Sequence, residues 1–179
     1  MFKHVPNILT IIRFILIPII VDLALNNNYI AATVVLVLSG LTDVLDGYIA
    51  RKYNFITDFG KLMDPLADKL TQISVLAVLV VQDIIPLWIL LIVLGKEFIM
   101  IIGASFLYGK DLVVSSKWFG KLSTVLFYVA IFCSMIIKQF NLPFTFDNYI
   151  YYLALAMTLF SLVMYFKAFA VKDFLKKQN

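Results

Sequence analysis

Six long apolar stretches constrain this chain more than any other feature of its sequence. They cover residues 8–25, 29–49, 62–81, 84–108, 118–137 and 149–171. About 20 apolar residues in a helix cross the roughly 30 Å of hydrocarbon in a bilayer. Because backbone polar groups inside lipid must be satisfied within the spanning segment, stretches of this kind form helices. We therefore expect an all-α, polytopic membrane protein with six transmembrane helices, forming one catalytic domain over residues 1–179.

The overall composition supports a lipid environment. Hydrophobic residues make up 63% of the chain, and the mean hydropathy is +0.97, whereas an ordinary soluble domain is closer to half apolar. The net charge of +4 is spread between the apolar stretches rather than gathered on one polar segment. This distribution indicates contact with lipid headgroups and no nucleic-acid partner.

The positions of the basic residues predict the topology of the chain. Loops on the side that holds most Lys and Arg are expected to face the cytoplasm. With six spans, that side receives Lys3, Arg51, Lys52, Lys61, Lys110, Lys117, Lys121, Lys172, Lys176 and Lys177. The opposite loops contain only Lys138. We therefore expect a multi-pass protein of the plasma membrane, with both termini in the cytoplasm.

Four aspartates near the predicted cytoplasmic surface form the main polar feature of the apolar segments. Asp43 and Asp46 are three residues apart near the end of the second stretch, and Asp64 and Asp68 are four apart at the start of the third. Both spacings place the two members of a pair on one helix face. Because the link between these stretches is short, the two pairs are expected to converge at one depth of the membrane.

Such a cluster is expected to bind divalent cations. Four carboxylates cannot all remain ionised in a poorly solvated site without compensating positive charge. Arg51, Lys61 and Lys69 supply part of that charge. Oxygen ligands alone select a hard ion such as Mg²⁺ or Mn²⁺. Two ions roughly 3.5–4 Å apart can stabilise both sides of a phosphoryl displacement.

The aspartates belong to a longer pattern, which reads Asp43-x-x-Asp46-Gly47-x-x-Ala50-Arg51-x8-Gly60-x3-Asp64-x3-Asp68. This pattern resembles the signature of the CDP-alcohol phosphotransferases at every fixed position. The resemblance implies transfer of a phosphatidyl group from CDP-diacylglycerol to an alcohol, with release of CMP. It implies an active site that faces the cytoplasm, and it implies a homodimer.

The resemblance also implies roles for individual residues. The metal ligands would be Asp43, Asp46, Asp64 and Asp68, with Asp68 also acting as the general base. The positions that match the binding site of the CDP-linked donor are Gly47, Arg51, Thr57 and Gly60. A glycine lets a nucleotide lie against the helix, and an arginine offers planar donors to phosphate.

Two further segments bear on the acceptor. Residues 6–13 (PNILTIIR) and 60–69 (GKLMDPLADK) resemble those of bacterial phosphatidylglycerophosphate synthases, whose acceptor is sn-glycerol 3-phosphate. This anion requires basic residues in the site, and the candidates are Lys96, Lys117 and Lys121. Lys96 lies in the middle of an apolar stretch beside Glu97, so both residues are expected either to form ion pairs or to face a cavity.

Alternatives remain open at this point. Ala104 and Ser123 stand where synthases of this kind carry basic residues. Cardiolipin synthases of the same superfamily also lack those two charges and use phosphatidylglycerol as acceptor, so this activity is the alternative. A small ion-coupled transporter could also use intramembrane acids. The chain, however, has one acidic cluster and no matching second half.

Overall fold

The computed structural model describes residues 5–53, 58–108, 118–143 and 146–176, and the regular structure in these ranges is helical throughout. The helices are α1 (Val5–Leu25), α2 (Tyr29–Lys52), α3 (Asp58–Val81), α4 (Leu87–Tyr108), α5 (Trp118–Gln139) and α6 (Phe146–Lys176). The prediction of an all-α protein with six helices is confirmed.

The helices have the length and composition of a multi-pass membrane protein. Among the described residues, four apolar segments are long enough to cross a bilayer: Ile8–Leu25, Tyr29–Ile49, Gly120–Gln139 and Phe146–Met164. In α3, the first half carries Asp64, Asp68 and Lys69, and the apolar residues follow in the second half. This helix therefore combines a polar end with an apolar end.

The chain divides into two compact units. The first consists of Met1–Ile85 with Ser134–Pro143, and the second of Pro86–Cys133 with Phe144–Asn179. The first unit thus contains α1, α2, α3 and the end of α5. The second contains α4, most of α5 and α6. The assignment of residues 1–179 to a single catalytic domain stays a prediction.

Three helices end in the same kind of turn. The residues Asn27, Asp83 and Asn141 have positive φ values of 61°, 55° and 48°. After each, an amide bonds to the carbonyl five residues earlier: Asn28 to Leu23 (2.9 Å), Ile84 to Leu79 (2.9 Å) and Leu142 to Ile137 (3.0 Å). Asn and Asp tolerate the left-handed conformation better than most residues. These turns lie in the short segments 26–28, 82–83 and 141–143, which connect the apolar stretches of the sequence.

Four helix starts differ from the predicted ones. α1 and α6 each begin three residues earlier than predicted, at Val5 and Phe146, and the starts of α3 and α4 also differ. α4 begins at Leu87 rather than at residue 84, because Asp83 occupies a left-handed turn and the residue before Pro86 is disfavoured in helical conformation. α3 begins at Asp58, four residues before the predicted start. Asp64 and Asp68 therefore lie within the second and third turns of a formed helix rather than at its first residues.

In the first unit, α1 packs against both α2 and α3. Ala24 and Ala32 are fully buried, as are Ile20, Leu76 and Leu79. Small residues let helices approach closely where lipid removes most of the hydrophobic driving force. At the end distant from the aspartates, Gln82 donates a 2.9 Å hydrogen bond to the carbonyl of Ala24, which ties α3 to α1.

In the second unit, α4 packs against α6. The rings of Phe127 on α5 and Tyr151 on α6 are both buried, with centroids 6.4 Å apart. Trp88 on α4 stacks on Tyr152 on α6 with centroids 6.0 Å apart. These ring contacts link the helices of the second unit.

Candidate active site

An arginine on α1 connects the acidic residues of α2 and α3. One terminal nitrogen of Arg13 donates to Asp43 Oδ1, and its Nη2 donates to Asp64 Oδ1 over 3.1 Å. The Arg13 side chain is 3% exposed, whereas Asp43 is 47% and Asp64 37% exposed. The guanidinium therefore reaches the two acids from the protein interior, and both carboxylates keep an open side. Two of the four predicted acids meet at a single cation.

Thr10 supports the same arrangement from one turn earlier on α1. Three residues separate it from Arg13, so the two side chains share a helix face. Thr10 is buried, and its hydroxyl donates to Asp64 Oδ1 over 2.5 Å. The hydrogen bonds described for Asp43 and Asp64 all end on Oδ1 of each carboxylate. The other oxygen of each acid is not used by these bonds.

Asp68 extends the acidic group along α3. It lies one turn after Asp64 and is half-buried. Both Asp64 and Asp68 lie within electrostatic range of Asp43. Carboxylates of like charge that lie near one another repel. Arg13 offsets part of this repulsion, which makes it a component of the site and not only a packing residue.

Several predicted site residues lie outside the described part of the structure. The backbone of Asp46 and Arg51 belongs to α2, but their side chains are not described, and Thr57 and Lys117 lie outside the described ranges. Gly47 follows Asp43 by one turn on α2, and Gly60 is buried near the start of α3. The donor-binding roles of Gly47, Arg51, Thr57 and Gly60 stay predictions.

The donor atoms of the site suit a hard divalent ion. Asp43, Asp64 and Asp68 offer only carboxylate oxygens, which Mg²⁺ and Mn²⁺ prefer. The contact of Arg13 with two of these acids shows that the space between α2 and α3 accommodates positive charge. Among the described side chains, which omit Asp46, no three metal-binding groups are gathered tightly enough to form a complete metal site.

Lys96 and Glu97 form an ion pair in the middle of α4. Lys96 Nζ lies 2.6 Å from Glu97 Oε1, and the two side chains are 17% and 8% exposed. Neighbouring residues on a helix do not normally face each other, yet these two side chains meet. Of the two arrangements predicted for these residues, ion pairing is the one found. The role of Lys96 in binding the acceptor stays a prediction.

Lys121 and Ser123 lie near the start of α5, in the second unit. Lys121 is exposed. Ser123 is buried, and its hydroxyl donates to the carbonyl of Gly120 over 3.0 Å. The hydroxyl of Thr124 donates to the same carbonyl over 3.3 Å. Ser123 is neutral, and its hydroxyl is hydrogen-bonded within its own helix. The acceptor role of Lys121 stays a prediction.

Arg13 and Thr10 are the site residues that sequence reasoning missed. Residues 6–13 carry a resemblance to the phosphatidylglycerophosphate synthases, but the sequence alone assigned neither Arg13 nor Thr10 a role in the site. A signal was present, because Arg13 is a cation within the predominantly apolar segment Ile8–Leu25. A charged residue at such a position is functional by default and requires a partner.

Carboxylates on α2 and α3 that meet at a buried arginine of α1 define a polytopic membrane protein with a polar site near one end of its spans. The chain matches the family described as CDP-alcohol phosphatidyltransferase over residues 3–166. It belongs to the CDP-alcohol phosphatidyltransferase family, whose members generally depend on divalent metals.

Similar proteins carry two different names. The CDP-diacylglycerol–glycerol-3-phosphate 3-phosphatidyltransferase of Bacillus subtilis is 32% identical over 156 residues, which cover 79% of each chain. The protein of the same name from Rickettsia typhi is 44% identical over 101 residues, covering 55% of this chain and 57% of the relative. A cardiolipin synthase (CMP-forming) of Streptomyces coelicolor is 38% identical over 104 residues, or 55% of this chain and 48% of the relative.

Proposed function

We propose that this protein transfers a phosphatidyl group from CDP-diacylglycerol to the hydroxyl of sn-glycerol 3-phosphate, giving phosphatidylglycerophosphate and CMP. The observation that carries this proposal is the meeting of Asp43 from α2 and Asp64 from α3 at one cation. Family membership supports the reaction type. The name of the relative from Bacillus subtilis supports the acceptor.

The four aspartates would hold two divalent ions, either Mg²⁺ or Mn²⁺. Asp43 and Asp46 would contribute from α2, and Asp64 and Asp68 from α3. When bound, such ions supply Lewis-acid stabilisation of the donor diphosphate and of the departing CMP. The partial exposure of Asp43 and Asp64 favours this assignment, because ligands to an ion must have a side open to it.

Asp68 would act as the general base. Its carboxylate removes the proton of the acceptor hydroxyl, and the freed oxygen attacks the phosphorus that bears the diacylglycerol. A new oxygen–phosphorus bond forms, and the phosphoanhydride bond to CMP breaks. The products are phosphatidylglycerophosphate and CMP, and no covalent enzyme intermediate is needed.

The remaining predicted residues would hold the two substrates. Gly47 and Gly60 would give the nucleotide space against the helices, and Arg51 and Thr57 would bind the donor's polar groups. The acceptor phosphate would meet Lys117 and Lys121. Lys96 is already paired with Glu97 at 2.6 Å, so its charge is less available to the acceptor phosphate than an unpaired lysine would be.

The proposed reaction places the protein in the plasma membrane with its site and both termini on the cytoplasmic side. The distribution of Lys and Arg supports this orientation, and water-soluble glycerol 3-phosphate would then enter from the cytoplasm. We include a homodimer in the proposal on the basis of the family resemblance.

An acceptor panel tests the proposal directly. The purified protein is incubated in detergent with CDP-diacylglycerol and Mg²⁺ or Mn²⁺. Separate reactions receive glycerol 3-phosphate, phosphatidylglycerol, inositol phosphate or serine. We expect release of CMP and formation of phosphatidylglycerophosphate only with glycerol 3-phosphate, and loss of both products in EDTA. Release of CMP with phosphatidylglycerol as the only active acceptor would contradict this proposal and support cardiolipin synthesis instead.

The alternative is cardiolipin synthesis with phosphatidylglycerol as acceptor. Two observations favour it: the similarity to the Streptomyces coelicolor protein, and the neutral residues at positions 104 and 123. Ser123 is neutral, and it is also buried and bonded to the carbonyl of Gly120, so this position offers no charge to an acceptor phosphate. Detection of cardiolipin in the same panel distinguishes the two activities.

A further inference from the structure

The position of Arg13 raises the question of what its charge does in the site. Its side chain is 3% exposed and contacts acids on two different helices. A buried charge is tolerated only when it is well paired, so Arg13 depends on Asp43 and Asp64. The dependence is mutual, because these acids repel each other and also experience Asp68. In the arrangement described, the guanidinium is the cation that these two acids share.

A divalent ion bound to the same carboxylates would take over the electrostatic role of Arg13. It would neutralise the acids and link α2 to α3. Arg13 would then share these carboxylates with a second positive charge. Like charges that bind the same carboxylates repel each other, and this repulsion is stronger where solvent is scarce. Arg13 therefore holds Asp43 and Asp64 together and at the same time weakens the binding of a divalent ion to them.

We infer that Arg13 is a resident counter-cation, which keeps Asp43 and Asp64 together in the metal-free protein and lowers the affinity of the site for divalent ions. The inference rests on the divalent-metal site of the proposed function. Thr10 assists by fixing Asp64 through its hydroxyl. The arrangement keeps the site assembled before metal arrives, and Arg13 acts as a positioning residue.

The test uses the full-length protein in detergent micelles, stripped with EDTA and without substrates. Two quantities are measured: the apparent Tm in EDTA, and the Kd for Mn²⁺ from the loss of the free-ion EPR signal. Arg13→Gln is expected to lower the apparent Tm and to tighten Mn²⁺ binding by about tenfold or more. Its gain in Tm on addition of Mn²⁺ should exceed that of the unchanged protein.

Two further variants separate charge from shape. Arg13→Lys keeps the charge but loses the two-armed guanidinium, and its Mn²⁺ Kd should stay within about threefold of the unchanged protein. Lys52→Gln removes a charge at the exposed end of α2, where Nζ lies 5.4 Å from the Tyr48 ring. Solvent screens that charge, so Lys52→Gln should shift the Kd by less than about twofold.

Each outcome bears on the inference. Mn²⁺ binding by Arg13→Gln that is unchanged or weaker would overturn it. If folded Arg13→Gln can be purified only in the presence of Mn²⁺, the inference is supported, because the ion then replaces the lost charge. If no folded Arg13→Gln can be purified at all, Arg13→Lys decides. Folded Arg13→Lys in EDTA with near-normal Mn²⁺ affinity supports the inference, and failure to obtain it overturns the inference.

The same experiment keeps this inference separate from the proposed function. No substrate enters the binding measurement, so an acceptor other than glycerol 3-phosphate would leave the role of Arg13 unchanged. Failure of the unchanged protein to bind Mn²⁺ would overturn both the metal site of the proposed function and this inference.

Discussion

Arg13 on α1 and Asp64 on α3 lie 51 residues apart in the chain, yet 3.1 Å separates Nη2 of the arginine from a carboxylate oxygen of the aspartate. The family pattern runs from Asp43 to Asp68 and does not include α1. The contact therefore adds a third helix to the site and places a buried side chain behind the acids. Changes in α1 should affect the chemistry even though α1 carries none of the proposed metal ligands.

Thr10→Val should reduce kcat/KM by about tenfold, because the hydrogen bond to the charged Asp64 is lost without much change of shape. Thr10 donates to Asp64 over 2.5 Å. Thr10→Ser keeps the hydroxyl and is expected to retain most of the activity. The measurement is CMP release at matched protein concentrations. Equal activities of the two variants would show that the hydroxyl does not orient Asp64.

Asp68→Asn should lower kcat by roughly 100-fold to 10,000-fold, the range typical of a removed general base. The amide has nearly the same volume, so the elution profile and the apparent Tm should change little. Asp83→Asn is the matched control, because Asp83 is exposed and adopts a left-handed turn that Asn also tolerates. Substantial turnover by Asp68→Asn would remove Asp68 from the role of base.

The meeting of the acidic residues of α2 and α3 could be predicted from sequence because it depends on local geometry. Spacings of three and four residues fix which side chains share a helix face, and the short link keeps the end of α2 near the start of α3. The contact between Asp43 and Asp64 through one cation agrees with that reasoning. The long apolar stretches likewise predicted the helices, since lipid leaves few other structures available.

The role of Arg13 could not be predicted in the same way. Helical periodicity does not say which face of α1 meets α2 and α3, and that choice depends on packing of small residues such as Ala24 and Ala32. The start of α4 lies three residues later than predicted for a different reason. Ile84 and Ile85 are apolar and extend the predicted stretch, but Pro86 disfavours helical conformation in the residue before it.

Lys121→Ala should raise the KM for glycerol 3-phosphate more than the KM for CDP-diacylglycerol, since only the acceptor phosphate is proposed to meet this residue. We expect an increase of about tenfold for the acceptor, the usual effect of losing one charged hydrogen bond. Lys138→Ala is the control, because Lys138 is also exposed and lies at the opposite end of α5. Unchanged acceptor kinetics would exclude Lys121 from the site.

Ala32→Leu should destabilise the first unit by about 1–3 kcal/mol, because Ala32 is fully buried and extra methyl groups in a packed interior force neighbours apart. Val34→Leu on the same helix is the control, since Val34 is 52% exposed and has room outside the protein. The apparent Tm in detergent, followed by light scattering or tryptophan fluorescence, compares the two. A larger loss for Val34→Leu would contradict the packing described for α2.

Asn141→Val should lower the apparent Tm, whereas Asn141→Gly should leave it nearly unchanged. Asn141 has a φ of 48°, and the following amide bonds to Ile137 over 3.0 Å to close the end of α5. Glycine adopts this conformation freely, while a branched side chain meets a steric penalty of roughly 1–2 kcal/mol. Because Asn141 is exposed, neither change removes a buried contact, and the difference between the variants reports the backbone alone. Equal melting temperatures for the two variants would mean that this turn does not contribute to the stability of the folded chain.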